Sequence, residues 1–246
     1  MAAPVPPTPT PTSTAPSRIP IVTDAMRLVR VLYEPSKVFE EQREKPTWFL
    51  PWLVIAIICL VIGFIQLPYS QRVIEVALQA YPNAPQLTPA QLSSRAMIGV
   101  VVTPILFLIF AFLGAGILFL IAAVMGASVR YKGMLSATVF SQVMVPITLI
   151  LQSVILRIRG APGDAITTMT DAQPALGLNV LLSSDSHVVQ AIYAGIGPLP
   201  IWAIIITAIG IAQLEKAKKS AAWSAAIGSY VVMLLIGALL AGLQRG

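Results

Sequence analysis

Residues 96–129 contain no Asp, Glu, Lys or Arg: AMIGVVVTPILFLIFAFLGAGILFLIAAVMGASV stands between Arg95 and Arg130. About 20 apolar residues suffice for a helix to cross the hydrocarbon core of a bilayer, so this run crosses one with length to spare. A short polar turn follows, Arg130, Tyr131 and Lys132, and a second apolar run, Gly133 to Leu156, brings the chain back. In water such a helical hairpin would expose more apolar surface than soluble monomers tolerate. The chain is therefore built for lipid, and its other apolar runs must pack against this pair.

Composition agrees with that reading. Hydrophobic residues make up 57% and charged residues 11%, against about a quarter charged in ordinary soluble domains, and the mean hydropathy is +0.82. The formal charge of +6 raises the question of nucleic acid. The basic residues flank apolar runs instead of forming a patch, which excludes a nucleic-acid partner. Cys59 is the single cysteine, so an intrachain disulfide is excluded.

The expected fold class is an all-α integral membrane protein with five transmembrane helices. Residues 1–22, rich in Pro and Thr and without an apolar core segment, read as a disordered tail and not as a signal peptide. The membrane domain is expected over 23–246, with spans at about 48–67, 97–126, 134–156, 198–214 and 221–243. Ahead of the first span, Ala25, Leu28, Val29 and Leu32 follow helical spacing, with Thr23 placed as an N-cap. Two settings fit this short helix equally: the membrane surface, with Arg27, Arg30 and Lys37 near head groups, or packing on another part of the protein. A second short helix starts at Pro35 and closes before Pro46. Between the first two spans a helix is expected around Gln71 to Gln79, and Ser184 is placed to cap one running through Tyr193. Pro104 and Pro146 each predict a bend. Small residues four apart, Ala111/Ala115, Ala122/Gly126 and Gly237/Ala241, are candidate helix contacts.

Orientation follows from Lys and Arg, which concentrate in cytoplasmic segments. Eleven of the sixteen lie before the first span or in the turns after the second and fourth; the other five, Arg72, Arg95, Arg157, Arg159 and Arg245, lie on the opposite side. That places the N-terminus in the cytoplasm and the C-terminus outside it.

No catalytic, cofactor-binding or metal-binding residue stands out. Ionisable side chains inside spans mark proton relays and catalytic centres, and the five spans have none. His187 and Cys59 are the sole histidine and thiol, too few for a metal site. Asp185, Ser186 and His187 are consecutive, so their side chains diverge and do not form a triad among themselves. What remains in the spans is neutral: Gln66, Gln142, Gln152, Ser141, Ser153, Thr138 and Thr207. Interhelical hydrogen bonding is their ordinary role; the alternative is a permease or channel for a small neutral solute lined by Gln66, Gln142 and Gln152. Membrane lipids are the expected partners, with Lys216, Lys218 and Lys219 near anionic head groups.

Three stretches resemble the Ypt-interacting (YIP) domain family of five-span membrane proteins: EPSKVFEEQREKPTWFLPWLV before and into the first span, GASVRYKGMLSATVFSQVMVPI across the central turn, and PLPIWAIIITAIGIAQLEKAKKSAAW through the fourth span and its basic turn. The resemblance covers residues 25 to 243 and implies a non-enzymatic membrane protein that assembles with itself or with other membrane proteins. Eukaryotic members are associated with Rab-type GTPases, vesicle traffic and membrane shaping. The Asp-Leu-Tyr-Gly-Pro motif that many of those carry before the first span is missing here, which argues against a small GTPase partner. The chain is most similar to compact prokaryotic members, which implies a plasma membrane location.

Overall fold

The computed structural model describes residues 20–79, 87–169, 171–172, 174–182, 184 and 186–243, and among them all regular structure is helical. The expected tail lies outside these residues except for its last three, and so do Asp185 and Arg245. The first helix, α1 (Pro20–Arg30), begins three residues before Thr23. It is followed by α2 (Pro35–Glu41), α3 (Phe49–Ile65), α4 (Leu67–Gln79), α5 (Pro89–Val124), α6 (Tyr131–Ser141), α7 (Met144–Arg159), α8 (Pro162–Ala165), α9 (His187–Gly195), α10 (Pro198–Glu215) and α11 (Lys219–Leu243). A 3₁₀ turn, Leu178–Val180, precedes α9.

Four helical runs are long and apolar enough to cross a bilayer: α5, α6 with α7, α10, and Lys219–Leu240 of α11. A fifth crossing is made if α3 and α4 count as one broken span, bent by 69°. The bend has a local cause. Pro68, at the second position of α4, has no N–H to give and its ring crowds the carbonyl four residues back. The residue between the helices, Gln66, still closes α3 through its own N–H to Ile62 O at 2.9 Å. Pro146 acts in the same way on the returning helix. The carbonyl of Gln142 loses its partner at residue 146 and accepts from Val145 N–H at 2.9 Å instead, so the helix breaks at 142–143 into α6 and α7. Pro104 is absorbed within a continuous α5 of 36 residues, about 54 Å long at 1.5 Å per residue.

One end of the bundle carries the α5–α6 and α10–α11 turns (the turn end); the other carries the α3–α4 bend (the elbow end). Small side chains bring the helices together. Ala111, Ala115 and Ala122 of α5 meet Ala208 of α10 and Ala222, Ala225 and Ala226 of α11 in one buried cluster. Ser229 adds a hydrogen bond from its hydroxyl to Gly114 O, 3.3 Å. The pairs anticipated four apart divide: Ala111 and Ala115 are buried, whereas Gly126 is exposed and closes α5 at φ +75°, and Gly237 faces open space. These two corrections share a reason. Spacing marks a helix face without saying what lies opposite it.

The short helices before the bundle take the protein-packed setting. Leu28 and Val31 enter the core beside Ile55 and Cys59, and Phe39 of α2 is fully buried against Phe140, ring centroids 5.6 Å apart. At the elbow end, α9 lies along α11, where the Tyr230 hydroxyl donates to Gly195 O. The N-cap of α9 is Ser186 and not Ser184, whose hydroxyl oxygen accepts from Ser186 N–H at 3.2 Å. Leu178 N–H closes the end of α9 by donating to Ile196 O at 2.7 Å. Gly177 is needed beside it, since a Cβ there would lie 2.7–2.8 Å from three carbonyl oxygens of residues 193–196.

Candidate functional site

Two regions concentrate polar side chains in an otherwise apolar molecule. The first is a knot at the turn end that ties the segment before α3 to both turns. Gln42, 2% exposed, accepts from Thr47 N–H and Thr47 Oγ1 at 3.3 and 2.8 Å. Thr47 O in turn accepts from the Ser136 hydroxyl of α6 at 2.8 Å. Arg43 reaches the last turn of α10, donating through Nε to Gln213 O at 2.7 Å and through Nη2 to Gln213 Oε1 at 3.2 Å.

Glu215 is the centre of the knot. It ends α10 with its side chain only 3% exposed, and it accepts from Arg130 N–H at 3.0 Å and from Arg130 Nε at 3.2 Å. The Arg130 guanidinium also donates through Nη2 to Arg43 O and Leu214 O at 3.0 and 3.2 Å. A buried carboxylate demands such a partner, because desolvation without one costs several kcal/mol, of order the penalty of an unpaired buried ion. The close fit needs a glycine opposite. A Cβ on Gly133 would stand 1.9 Å from Glu215 Oε1. The sequence marks only the neighbouring Lys216, Lys218 and Lys219 and gives no sign of this pairing, since the partner of Glu215 is 85 positions away. The one local signal is a glycine directly after the Arg-Tyr-Lys turn.

The second region is an open-sided cavity of about 390 Å³ at the elbow end, lined by α3, α4, α5, α7 and the segment after α8. Its polar lining is Gln66, Ser70, Thr103, Gln152 and Ser153, with Arg95 at the rim. Gln66 Nε2 donates to Ser153 Oγ, while its buried Oε1 has no partner. The structure thus brings Gln66 and Gln152 to one cavity and leaves Gln142 elsewhere, at the α6–α7 break, with its Nε2 donating to Phe107 O at 3.4 Å. On the α4 side Tyr69, which also lines the cavity, donates to Gly160 O at 2.9 Å, and Arg72 donates to Ile166 O at 3.0 Å and pairs with Glu75 at 3.1 Å.

Among the described residues no three His, Cys, Asp or Glu side chains gather closely enough to hold a metal ion. The arrangement as a whole holds helices together and offers apolar faces to lipid.

A model of the Yip1 domain matches residues 29–242, most of the chain. The chain belongs to the Yip1 domain family. No curated protein and no solved structure matches it. Within this Yip1 domain, the stretches that carry the resemblance supply contacts and break points along the whole bundle. Phe39, from the segment before the first span, is buried between α6 and α10. Tyr131, from the central turn, donates its hydroxyl to Phe112 O at 3.1 Å. Pro146 makes the α6–α7 break, and Trp202 stands exposed on the outer face of α10. Phe39 and Tyr131 lie toward the turn end, whereas Trp202, in the first turns of α10, lies toward the elbow end.

Proposed function

We propose that this Yip1 domain is a non-enzymatic scaffold that organises a plasma membrane through helix and lipid contacts, over residues 23–246, with its turn end in the cytoplasm. One observation carries the reading. The outward faces of the crossing helices are continuous apolar stripes, Ile98, Val101, Ile105 and Ile109 on α5 and Ile227, Val231, Leu235 and Leu239 on α11, all exposed. Such stripes suit acyl chains or another membrane helix, and they offer no group that could act as acid, base or nucleophile.

Association with a second copy or with another membrane protein belongs to this reading; association with a small GTPase does not. The Asp-Leu-Tyr-Gly-Pro motif is missing, and the segment before α3 spends its Phe39 and Arg43 side chains on the bundle itself. The competing reading, a permease for a small neutral solute, needs Gln66, Gln142 and Gln152 along one path, and Gln142 stands apart from the other two. Cross-linking mass spectrometry after gentle solubilisation tests the proposal. One reproducible membrane-protein neighbour, or a second copy, is the expected result. Absence of any neighbour together with solute flux in liposomes, lost on Gln66→Leu, would replace it with the permease.

A further inference from the structure

The elbow-end cavity has a chemical character that helix packing does not explain. Its walls are apolar over the deeper part, where Cys59, Ile62, Val100 and Leu149 line it. Gln66 meets Ser153 at one level with Ser70 one turn beyond, and the deeper Thr103 hydroxyl is spent on Gly99 O at 2.7 Å. At its rim stands Arg95, an exposed cation with no carboxylate partner among the described residues. Arg157, whose Nη2 donates to Ile65 O at 3.3 Å, marks the same level on α7. Long basic side chains near helix ends sit at the head-group layer. The apolar depth therefore lies in the hydrocarbon, and the amide of Gln66 lies where lipid glycerol groups do.

We propose that this cavity is a lipid site for one acyl chain of an anionic glycerophospholipid, with the phosphate on Arg95 and the glycerol group at the level of Gln66, Ser153 and Ser70. Three features choose this occupant. The volume falls at the lower end of the roughly 300–1,000 Å³ typical of small-molecule sites, which admits one chain and not two. The wall is polar at the level of Gln66, Ser153 and Ser70, which matches the hydroxyl and ester oxygens of a glycerol group. The rim charge is positive and uncompensated, so the head group is anionic. The inference rests on the reading that the protein works through lipid contacts, and it adds a defined seat to what would otherwise be an annular coat.

The test uses the full chain, purified in detergent, delipidated, and titrated by native mass spectrometry with a lysophosphatidylglycerol or a lysophosphatidylcholine of equal chain length. The expected result is one bound lipid per chain, with the phosphatidylglycerol form favoured by about fivefold, the worth of one surface cation near an anionic head group. Arg95→Ala should remove the preference and leave the uncharged part of the binding. Gly99→Phe fills the rim. A Cβ at Gly99 meets nothing within 4 Å, so a side chain can leave the backbone there without a clash, and the variant, its thermal unfolding in detergent matched to wild type, should lose the bound lipid of both kinds. Several weakly bound lipids per chain, equal in wild type and Gly99→Phe, would show an annular coat only and overturn the site. Equal affinity for the two head groups would overturn the role of Arg95. Either failure leaves the cross-linking test of the scaffold unaffected, so the two readings fail separately.

Discussion

At the scale of single residues, the pair Arg130 and Glu215 is asymmetric: the arginine side chain is 53% exposed and the glutamate 3%. Removing the exposed partner strands a buried charge, whereas removing both leaves only a gap. Arg130→Ala is therefore expected to lower stability by about 1–3 kcal/mol, below the 3–5 of a fully buried pair because water reaches the guanidinium. The double variant Arg130→Ala with Glu215→Leu should recover part of the loss. Thermal unfolding in one detergent, read as a double-mutant cycle, checks both. Gly133→Ala should be as damaging as Arg130→Ala, since the added methyl must expel the carboxylate from its place. Asp171 shows a different economy, at the surface between α8 and the 3₁₀ turn. The Thr168 hydroxyl and N–H, then those of Thr167, hold its carboxyl down at about 2. A depressed carboxylate stabilises its loop above the ordinary value of about 4, and that contribution is lost as pH falls through about 2. Carboxyl carbon shifts of Asp171 in micelles should titrate near 2. A midpoint near 4 would mean the threonine contacts do not form in solution.

At the scale of elements, α2 is the piece whose placement matters most, because it turns a membrane-edge segment into part of the core. Phe39 lies against Phe140, with Gly210 of α10 close enough that a Cβ there would be 3.1 Å from the ring. Phe39→Ala should cost about 3–5 kcal/mol. It should also expose the segment 42–47 to protease in detergent, because the knot of Gln42, Arg43 and Thr47 follows directly. Protection equal to wild type would show that the knot holds α2 without its anchor. The crossing helices were legible because an uncharged run of 20 or more residues has few other uses, and the break near Pro146 because proline removes a backbone donor; the bend at Pro68 went unread, and Pro104, expected to bend its helix, is absorbed in a continuous α5. The seat of α1 and α2 was not, for a physical reason: lipid and protein interior are both apolar, so an amphipathic face reads the same against either. Likewise the knot joins residues far apart in the chain, Arg43 to Gln213 and Arg130 to Glu215, which spacing does not reveal. The elbow-end cavity was half legible. Gln66 and Gln152 stood out as neutral polar groups within spans, but the rim cation Arg95 reads as a mere flank.

At the scale of the whole molecule, the distribution of charge and the packing of the turn end bear on the same question, which side faces the cytoplasm. Eleven basic residues sit before α3 or in the two turns that meet at the knot, and five lie elsewhere. In the folded state several of the eleven are engaged: Arg30 pairs with Glu41 at 2.9 Å, Lys37 with Glu34 at 2.8 Å, and Arg130 with Glu215. Orientation is set during insertion, before these pairs form, and it depends on Lys and Arg far more than on net charge. The acidic partners therefore do not cancel the bias. With α3 and α4 taken together as one crossing, the helices make five passes, and the two ends of the chain face opposite sides. A reporter that is active only outside the cytosol, fused after Gly246, should be active, and one placed between Arg130 and Tyr131 silent. Exchanging Lys216, Lys218 and Lys219 for Gln removes three of the eleven and should leave both signals unchanged, since eight still outnumber five. A cytosol-only reporter that is active after Gly246 would mean that the turn end faces outward, against the distribution of Lys and Arg.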